Sequence, residues 1–393
     1  MSLRIRIKPL EILAGISISI VILYVLALQL LFQAGNILFV FTLIALLAAV
    51  AQLHSIDIGG WYAIFLLLTS ATSFLVTNNM DICTSYLSNV IKAFVFFLAI
   101  VNCMKLESGF SMIRYSTILS GIILSYMLLF RGVTTTESLR FSAAEGINEN
   151  VVAASITVSV ALTLYDIIIR EKGFKVYIEI ALIVFMCSAV LLTGTRKSFI
   201  AIIVLLALYM VFVVMPQRAG SSKKSIRKYI IAIVGIAAIL YFIKYGIDQT
   251  NIGERFRNIG YQGDRMRVYY YSQAYRIFRE HPIFGTGWGG FAAQIGMYSH
   301  STYGELIANT GILGSALFAM QYGELFRNGI RKIRFMGKGS KERPLIIFAV
   351  ITLLVILGLG IGTVIFYEIN LTICTGAAYA ILRENTVINR RIL

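Results

Sequence analysis

Runs of roughly twenty apolar residues dominate this chain, starting near Leu10, Asn36, Ile58, Thr84, Ser111, Asn150, Val176, Ser198, Tyr229, Glu305 and Leu345. A helix rises about 1.5 Å per residue, so about 20 residues cross a hydrocarbon core of about 30 Å. The last run, Leu345 to Leu382, is too long for one crossing. Gly358, Gly360 and Gly362 offer a break there, and Glu368 is costly at mid-membrane, so the run divides near Val364. The reading is an all-α polytopic membrane protein with about 12 transmembrane helices, forming one transmembrane domain over residues 1–393. Composition agrees: 58% of residues are hydrophobic and 14% charged, against about 25% charged in soluble domains. The 4 prolines leave room for long uninterrupted helices.

The first run follows Arg4, Arg6 and Lys8, exceeds a signal-peptide core and lacks a small-residue cleavage site, so it reads as an uncleaved span. Cys83, Cys103, Cys187 and Cys374 are scattered at different depths and form neither a metal spacing nor a disulfide framework. The net charge of +16 would suggest nucleic acid in a soluble protein; here the basic residues sit between apolar runs and report topology. With the N-terminus in the cytoplasm, 23 of the 35 Lys and Arg residues fall in cytoplasmic segments and 4 in short external loops. That asymmetry fixes both termini inside, and adding or removing one span scrambles it. No nucleic-acid partner is expected.

Two external segments stand out: Arg131 to Asn150, and the one long loop, residues 246–303. A loop of that size is more than a connection. It is rich in tyrosine and phenylalanine, and Arg265 to Glu280 has helical spacing with an aromatic face and a basic face, suited to lying flat at the membrane interface. The cluster Gly285-Thr286-Gly287-Trp288-Gly289-Gly290 follows no strand and opens no βαβ unit, so it is a turn, not a dinucleotide site.

Chemistry concentrates on this side. Arg196 and Lys197 occupy the short turn Thr193-Gly194-Thr195-Arg196-Lys197-Ser198. They read either as a snorkelling interfacial pair or as an anion site at a helix N-terminus. Arg265 and Arg267 read either as a solvated helix face or as guanidinium groups for phosphate. His300, in Ser299-His300-Ser301-Thr302-Tyr303, is either an interfacial residue before a span or a general base kept neutral by the positive helix end. External acids are few and no Asp-x-Asp pair occurs, so neither a metal nor a cofactor is expected. Lys92, inside the fourth run, is an intramembrane ionisable residue. Arginines without acid pairs imply an anionic substrate such as a diphosphate, and aromatics suit sugar rings or lipid.

These residues carry a resemblance. Thr193-Gly194-Thr195-Arg196-Lys197-Ser198 resembles the Thr-Gly-Ser/Thr-Arg turn of the O-antigen ligase/polymerase family. Arg265, Tyr269, Ala274, Phe278, Pro282 and Phe284-Gly285-Thr286-Gly287 resemble its long-loop signature, with Tyr269 standing where the family usually has Trp. His300-Ser301, Tyr303, Glu305-Leu306 and Thr310 to Gly314 resemble its histidine-containing entry into the next span, and Asn148-Glu149-Asn150 is similar to a further family segment. The resemblance implies a GT-C-like, metal-independent inverting glycosyltransferase of the bacterial cytoplasmic (inner) membrane. Its donor is an undecaprenyl-diphosphate-linked glycan on the external face. Arg196 and Arg265 would hold the diphosphate, with Arg267, Lys197, Tyr269, Tyr303 and Glu305 contributing to substrate binding, and His300 would deprotonate the acceptor hydroxyl. The Phe284 to Gly287 segment and the Lys/Ile-rich composition lean toward a polymerase of capsule, exopolysaccharide or O-antigen. A ligase that transfers glycan to lipid A core is the alternative. A chain-length regulator and a flippase are expected partners by analogy. A solute transporter is a further alternative, but its site would lie near the midplane between related repeats, whereas this polar cluster is at the boundary and no repeat is visible.

The charge pattern makes a direct prediction. In a cysteine-free background, Ser272→Cys is expected to react with a membrane-impermeant maleimide in cells whose outer barrier is opened, and Ser340→Cys to react only after the cytoplasmic membrane is lysed.

Overall fold

The computed structural model of the chain describes residues 8–27, 36–135, 140–143, 148–170, 173–215, 222–257, 262–337 and 339–383. Every predicted apolar run is a helix. The first nine are α1 (Pro9–Leu26), α2 (Asn36–Leu53), α3 (Trp61–Val76), α4 (Met80–Cys103), α5 (Gly109–Arg131), α6 (Glu149–Arg170), α7 (Phe174–Leu192), α8 (Arg196–Tyr209) and α9 (Ser222–Gln249). The long loop then folds into α10 (Asn251–Arg257), α11 (Gln262–Glu280) and α12 (Gly290–Ile295). The last three runs are α13 (Thr302–Phe335), α14 (Arg343–Leu359) and α15 (Ile369–Arg383). The predicted break near Val364 falls between α14 and α15.

Seven helices, α1, α2 and α4 to α8, are long and apolar enough to cross a membrane, α8 by virtue of a π-helical extension to Val214; α3 and α14 are shorter apolar helices. The other three runs, α9, α13 and α15, fall outside both groups. In α13 the reason is visible: it opens with buried polar residues and closes with Arg327, Arg331, Lys332 and Arg334. The segment Arg131 to Asn150 holds a two-stranded antiparallel ribbon, β1 (Val133–Thr135) and β2 (Arg140–Ser142), with Thr134 opposite Phe141. Periodicity did not announce it, because three-residue strands are too short to show alternation.

Helix α6 is the central post, with 89% of its most apolar window buried. Between apolar helices lipid supplies no hydrophobic drive, so small residues and interhelical hydrogen bonds hold the bundle. Ser159 of α6 donates to the Thr117 carbonyl of α5 at 2.8 Å, and Asn370 of α15 donates to Ser155 at 3.2 Å. Arg114, which the charge pattern assigned to a cytoplasmic segment, instead lies inside α5. Its side chain is 5% exposed and pairs with Asp166 of α6, 2% exposed, at 2.8 Å. Burial of either charge alone is prohibitive, so the pair clamps α5 to α6.

Alternate interhelical connections meet at the same end of the bundle. At one end Lys8 pairs with Glu107 at 2.6 Å, Lys105 with Asp57 at 3.2 Å, and Lys332 reaches the Ile381 carbonyl at 3.2 Å. At the other, the Trp288 amide donates to Ser73 at 2.9 Å and Lys197 reaches Thr363 and the Gly362 carbonyl. The segregation follows the alternation used for the charge count. The basic tails at residues 1–7 and 384–393 lie outside the described residues.

Arg114→Met is expected to cost about 3 kcal/mol or more by stranding Asp166, read as a fall in the unfolding midpoint in detergent. The double variant Arg114→Met, Asp166→Leu is expected to recover most of the loss.

Candidate active site

The glycine cluster of the long loop serves the backbone of α13. Gly311 has φ 60° and ψ −155°, which interrupts that helix. The interruption frees carbonyls and N–H groups that need partners away from water. The loop supplies them: the amides of Thr286 and Gly287 donate to the carbonyls of Ala308 and Asn309, at 3.0 and 2.9 Å. In return the amides of Ile312 and Leu313 donate to the carbonyls of Pro282 and Ile283, at 2.9 and 3.2 Å. Gly285 (φ 69°) sits so close that a Cβ there would lie 2.4 Å from the Asn309 carbonyl carbon. The close approach expected of this turn is thus to α13 itself.

One carboxylate then locks the next stretch. Glu305 is fully buried on the first turn of α13. It accepts the Ser299 amide at 2.6 Å and the Asn309 side-chain amide at 2.6 Å, while the Asn309 carbonyl oxygen accepts the Phe291 amide at 2.8 Å. Ser301 caps α13 by accepting the Gly304 amide. His300 lies between these fixed residues with φ 58°, a left-handed conformation that costs a side-chain-bearing residue about 1–2 kcal/mol.

The imidazole is half-buried between two tyrosines, with ring centroids 4.1 Å from Tyr298 and 5.9 Å from Tyr270. Burial first, then the positive charges of Arg267 and Lys197, hold its pKa below the ordinary histidine value of 6.5. Burial and the charges of Glu368, Tyr86 and Glu305 raise the Tyr298 hydroxyl. Burial raises Glu368 while Lys197 pulls it down. Burial and the two cations thus both favour the neutral form of His300.

The predicted site residues distribute as follows. Arg196 opens α8 behind the N-cap Thr195, where the positive end of the helix dipole favours an anion. Lys197, beside it, reaches the strap of residues 360–365. Arg265, Arg267, Tyr269 and the basic face of α11 are exposed, and the aromatic face is partly covered: Tyr270, Ala274 and Ile277 pack with Phe291 and Ala308. The flat interfacial helix expected here thus docks one face on α12 and α13. Residues two apart on a helix point different ways. Arg267 shares a face with Tyr270 and Tyr271 and acts electrostatically on His300, whereas Arg265 lies toward Val268, Tyr269 and Ser272, all exposed. Tyr303 is 41% exposed and donates to the Leu357 carbonyl at 2.8 Å.

Three contributors were not singled out from the sequence: Tyr298, Glu368 and the strap. Tyr298 was one of many loop tyrosines, and Glu368 was noticed only as awkward inside a span. The strap has no motif; its role appears when Lys197, Thr302 and Tyr271 converge on it, the last donating to the Ile361 carbonyl at 2.7 Å. Among the described residues, no three His, Cys, Asp or Glu side chains gather around one metal position.

The helical bundle, with seven helices long and apolar enough to cross a membrane, holds a histidine at one end that is flanked by tyrosines and acted on by two cations. Residues 181–319, which run from α7 into α13 and carry Arg196, Arg265 and His300, match the model of the family described as O-Antigen ligase. The match covers about a third of the chain and supports the resemblance to the O-antigen ligase/polymerase family read from the sequence. No curated protein matches the chain.

Asn309→Leu is expected to cost about 2–3 kcal/mol, because it strands the Phe291 amide and one oxygen of the buried Glu305. Faster limited proteolysis within residues 281–300 would report it.

Proposed function

We propose that this protein polymerises undecaprenyl-diphosphate-linked oligosaccharide repeat units at the external face of the bacterial cytoplasmic membrane, as a metal-independent inverting glycosyltransferase. The observation that carries the reading is His300, held in a left-handed turn and half-buried against Tyr298 and Tyr270, where burial and the charges of Arg267 and Lys197 favour its neutral form. A neutral imidazole accepts a proton, and fixed cations stabilise a departing diphosphate.

In the proposed step, the acceptor hydroxyl gives its proton to the free nitrogen of His300. Its oxygen attacks the anomeric carbon from the face opposite the diphosphate. The carbon–oxygen bond to the diphosphate breaks, and the electron pair leaves with the polyprenyl diphosphate. Arg196, at the N-terminus of α8, and Arg265 hold that leaving group, with Arg267 and Lys197 adding charge on the side nearest His300. Preorganised guanidinium groups meet the developing charge in the role a metal plays elsewhere. Tyr269 and Tyr303 are exposed rings available to sugars. Glu305 acts as a positioning residue through Ser299 and Asn309. A chain-length regulator and a flippase are the partners this activity calls for.

The O-antigen ligase reading, transfer of the glycan to lipid A core, is favoured by the match of residues 181–319 to the O-Antigen ligase family. Purified protein offered either a second lipid-linked repeat or lipid A core separates the two by which product forms.

His300→Ala is expected to lower turnover by about 10²–10⁴-fold, and unchanged polymer yield would refute the base assignment. Activity requires neutral His300, so the rate falls only as acid protonates it, with an acid limb below pH 6.5. Lys197→Met removes one of the charges holding that pKa down, so its acid limb is expected at higher pH than that of the wild type.

A further inference from the structure

The exposed face of α4 does not suit lipid. Thr84, Ser85, Ser88, Asn89 and Lys92 follow the three- and four-residue spacing of one helix face, and all are exposed. The opposite face, with Cys83, Leu87, Val90 and Ala93, is buried in the bundle. Other outward faces differ: α7 exposes Ile178, Ile180 and Val184, and α3 exposes Leu67, Leu68 and Leu75. Helix α4 is itself a candidate membrane span of 24 residues.

Lys92 is the thirteenth of those residues, about 18 Å of helix from either end at about 1.5 Å per residue. Its four-carbon stem falls well short of either interface, so snorkelling does not bring the ammonium to water. It has no acidic partner among the described residues. A charge at that depth faces a protein partner or a water-filled cavity, not lipid. Hydroxyl and amide side chains on the same face match the way transmembrane helices bond to one another.

We propose that this face of α4 docks a transmembrane helix of another membrane protein, one that carries a carboxylate near the bilayer centre to pair with Lys92. A second copy of this chain is the wrong occupant. Two copies in one membrane share a topology, so a symmetric contact through α4 sets Lys92 against Lys92. The proposal does not depend on the activity assigned to the His300 site.

The test uses the full-length protein in lipid nanodiscs and synthetic polyleucine transmembrane peptides bearing Asp, Lys or Leu at the centre, with association read by energy transfer. The Asp peptide is expected to bind at least about tenfold more tightly than the Leu peptide, and the Lys peptide more weakly than either. Lys92→Gln is expected to abolish the preference for Asp while unfolding at the wild-type temperature. Equal binding of Asp and Leu peptides overturns the proposal, as does an undiminished Asp preference in Lys92→Gln. Subunit counting supplies a second readout: monomers are expected, and dimers that vanish in Lys92→Gln would make a second copy the occupant. Should Lys92→Gln fail to fold, the order of the three peptides on the wild type decides.

Discussion

Thr302, two residues after His300, joins the start of α13 to the strap between α14 and α15. Its amide donates to the carbonyls of Gly360 and Thr363, at 2.8 and 3.0 Å. Its hydroxyl donates to the Thr363 carbonyl at 2.7 Å and accepts the Ile365 amide at 3.0 Å. Lys197 of α8 and Tyr271 of α11 fasten to the same strap. The elements that carry Arg196, Arg267 and His300 are therefore referenced to one short piece of backbone. Loss of that junction would leave each residue on its own element but out of register with the others.

The second constraint is the accounting of buried polar groups. An interrupted helix inside a membrane bundle is tolerable only when something satisfies the freed backbone. The Pro282 to Gly287 turn does so for α13, and Glu305 and Asn309 extend the same network to Ser299 and Phe291. Each group in it would cost about 1–3 kcal/mol if left unpaired. The network thereby supports the left-handed backbone of His300, which a loose loop would relax. Glycine at 311 and 285 and a carboxylate at 305 are structural requirements of a site whose chemistry lies elsewhere.

The helices were legible because a membrane span imposes length and polarity together, and α1, α2 and α4 to α8 satisfy both. The break before α15 was legible from Glu368, a charge no span accepts readily. The basic face of α11 was legible from its spacing; its docking on α13 was not, since a helix's partner is not written in its own periodicity. That Arg114 lies within α5 and is paired with Asp166 was not legible, because a charge near a helix end looks like a loop charge until its partner is seen. The histidine and the arginines were legible as residue types in motif order. That Arg267 is the arginine acting on His300 depends on which face of α11 turns inward, and that is settled only by packing.

The central claim is that His300 is a neutral base beside a diphosphate site. The chain contains 3 histidines, so nuclear magnetic resonance of histidine-labelled protein, with His300→Gln for assignment, measures this one directly. The account predicts a pKa below 6.5 in the free protein. It also predicts a rise when undecaprenyl diphosphate binds, because the anion neutralises Arg267 and Lys197 and favours the imidazolium. A pKa at or above the ordinary value, unmoved by the diphosphate, would contradict it.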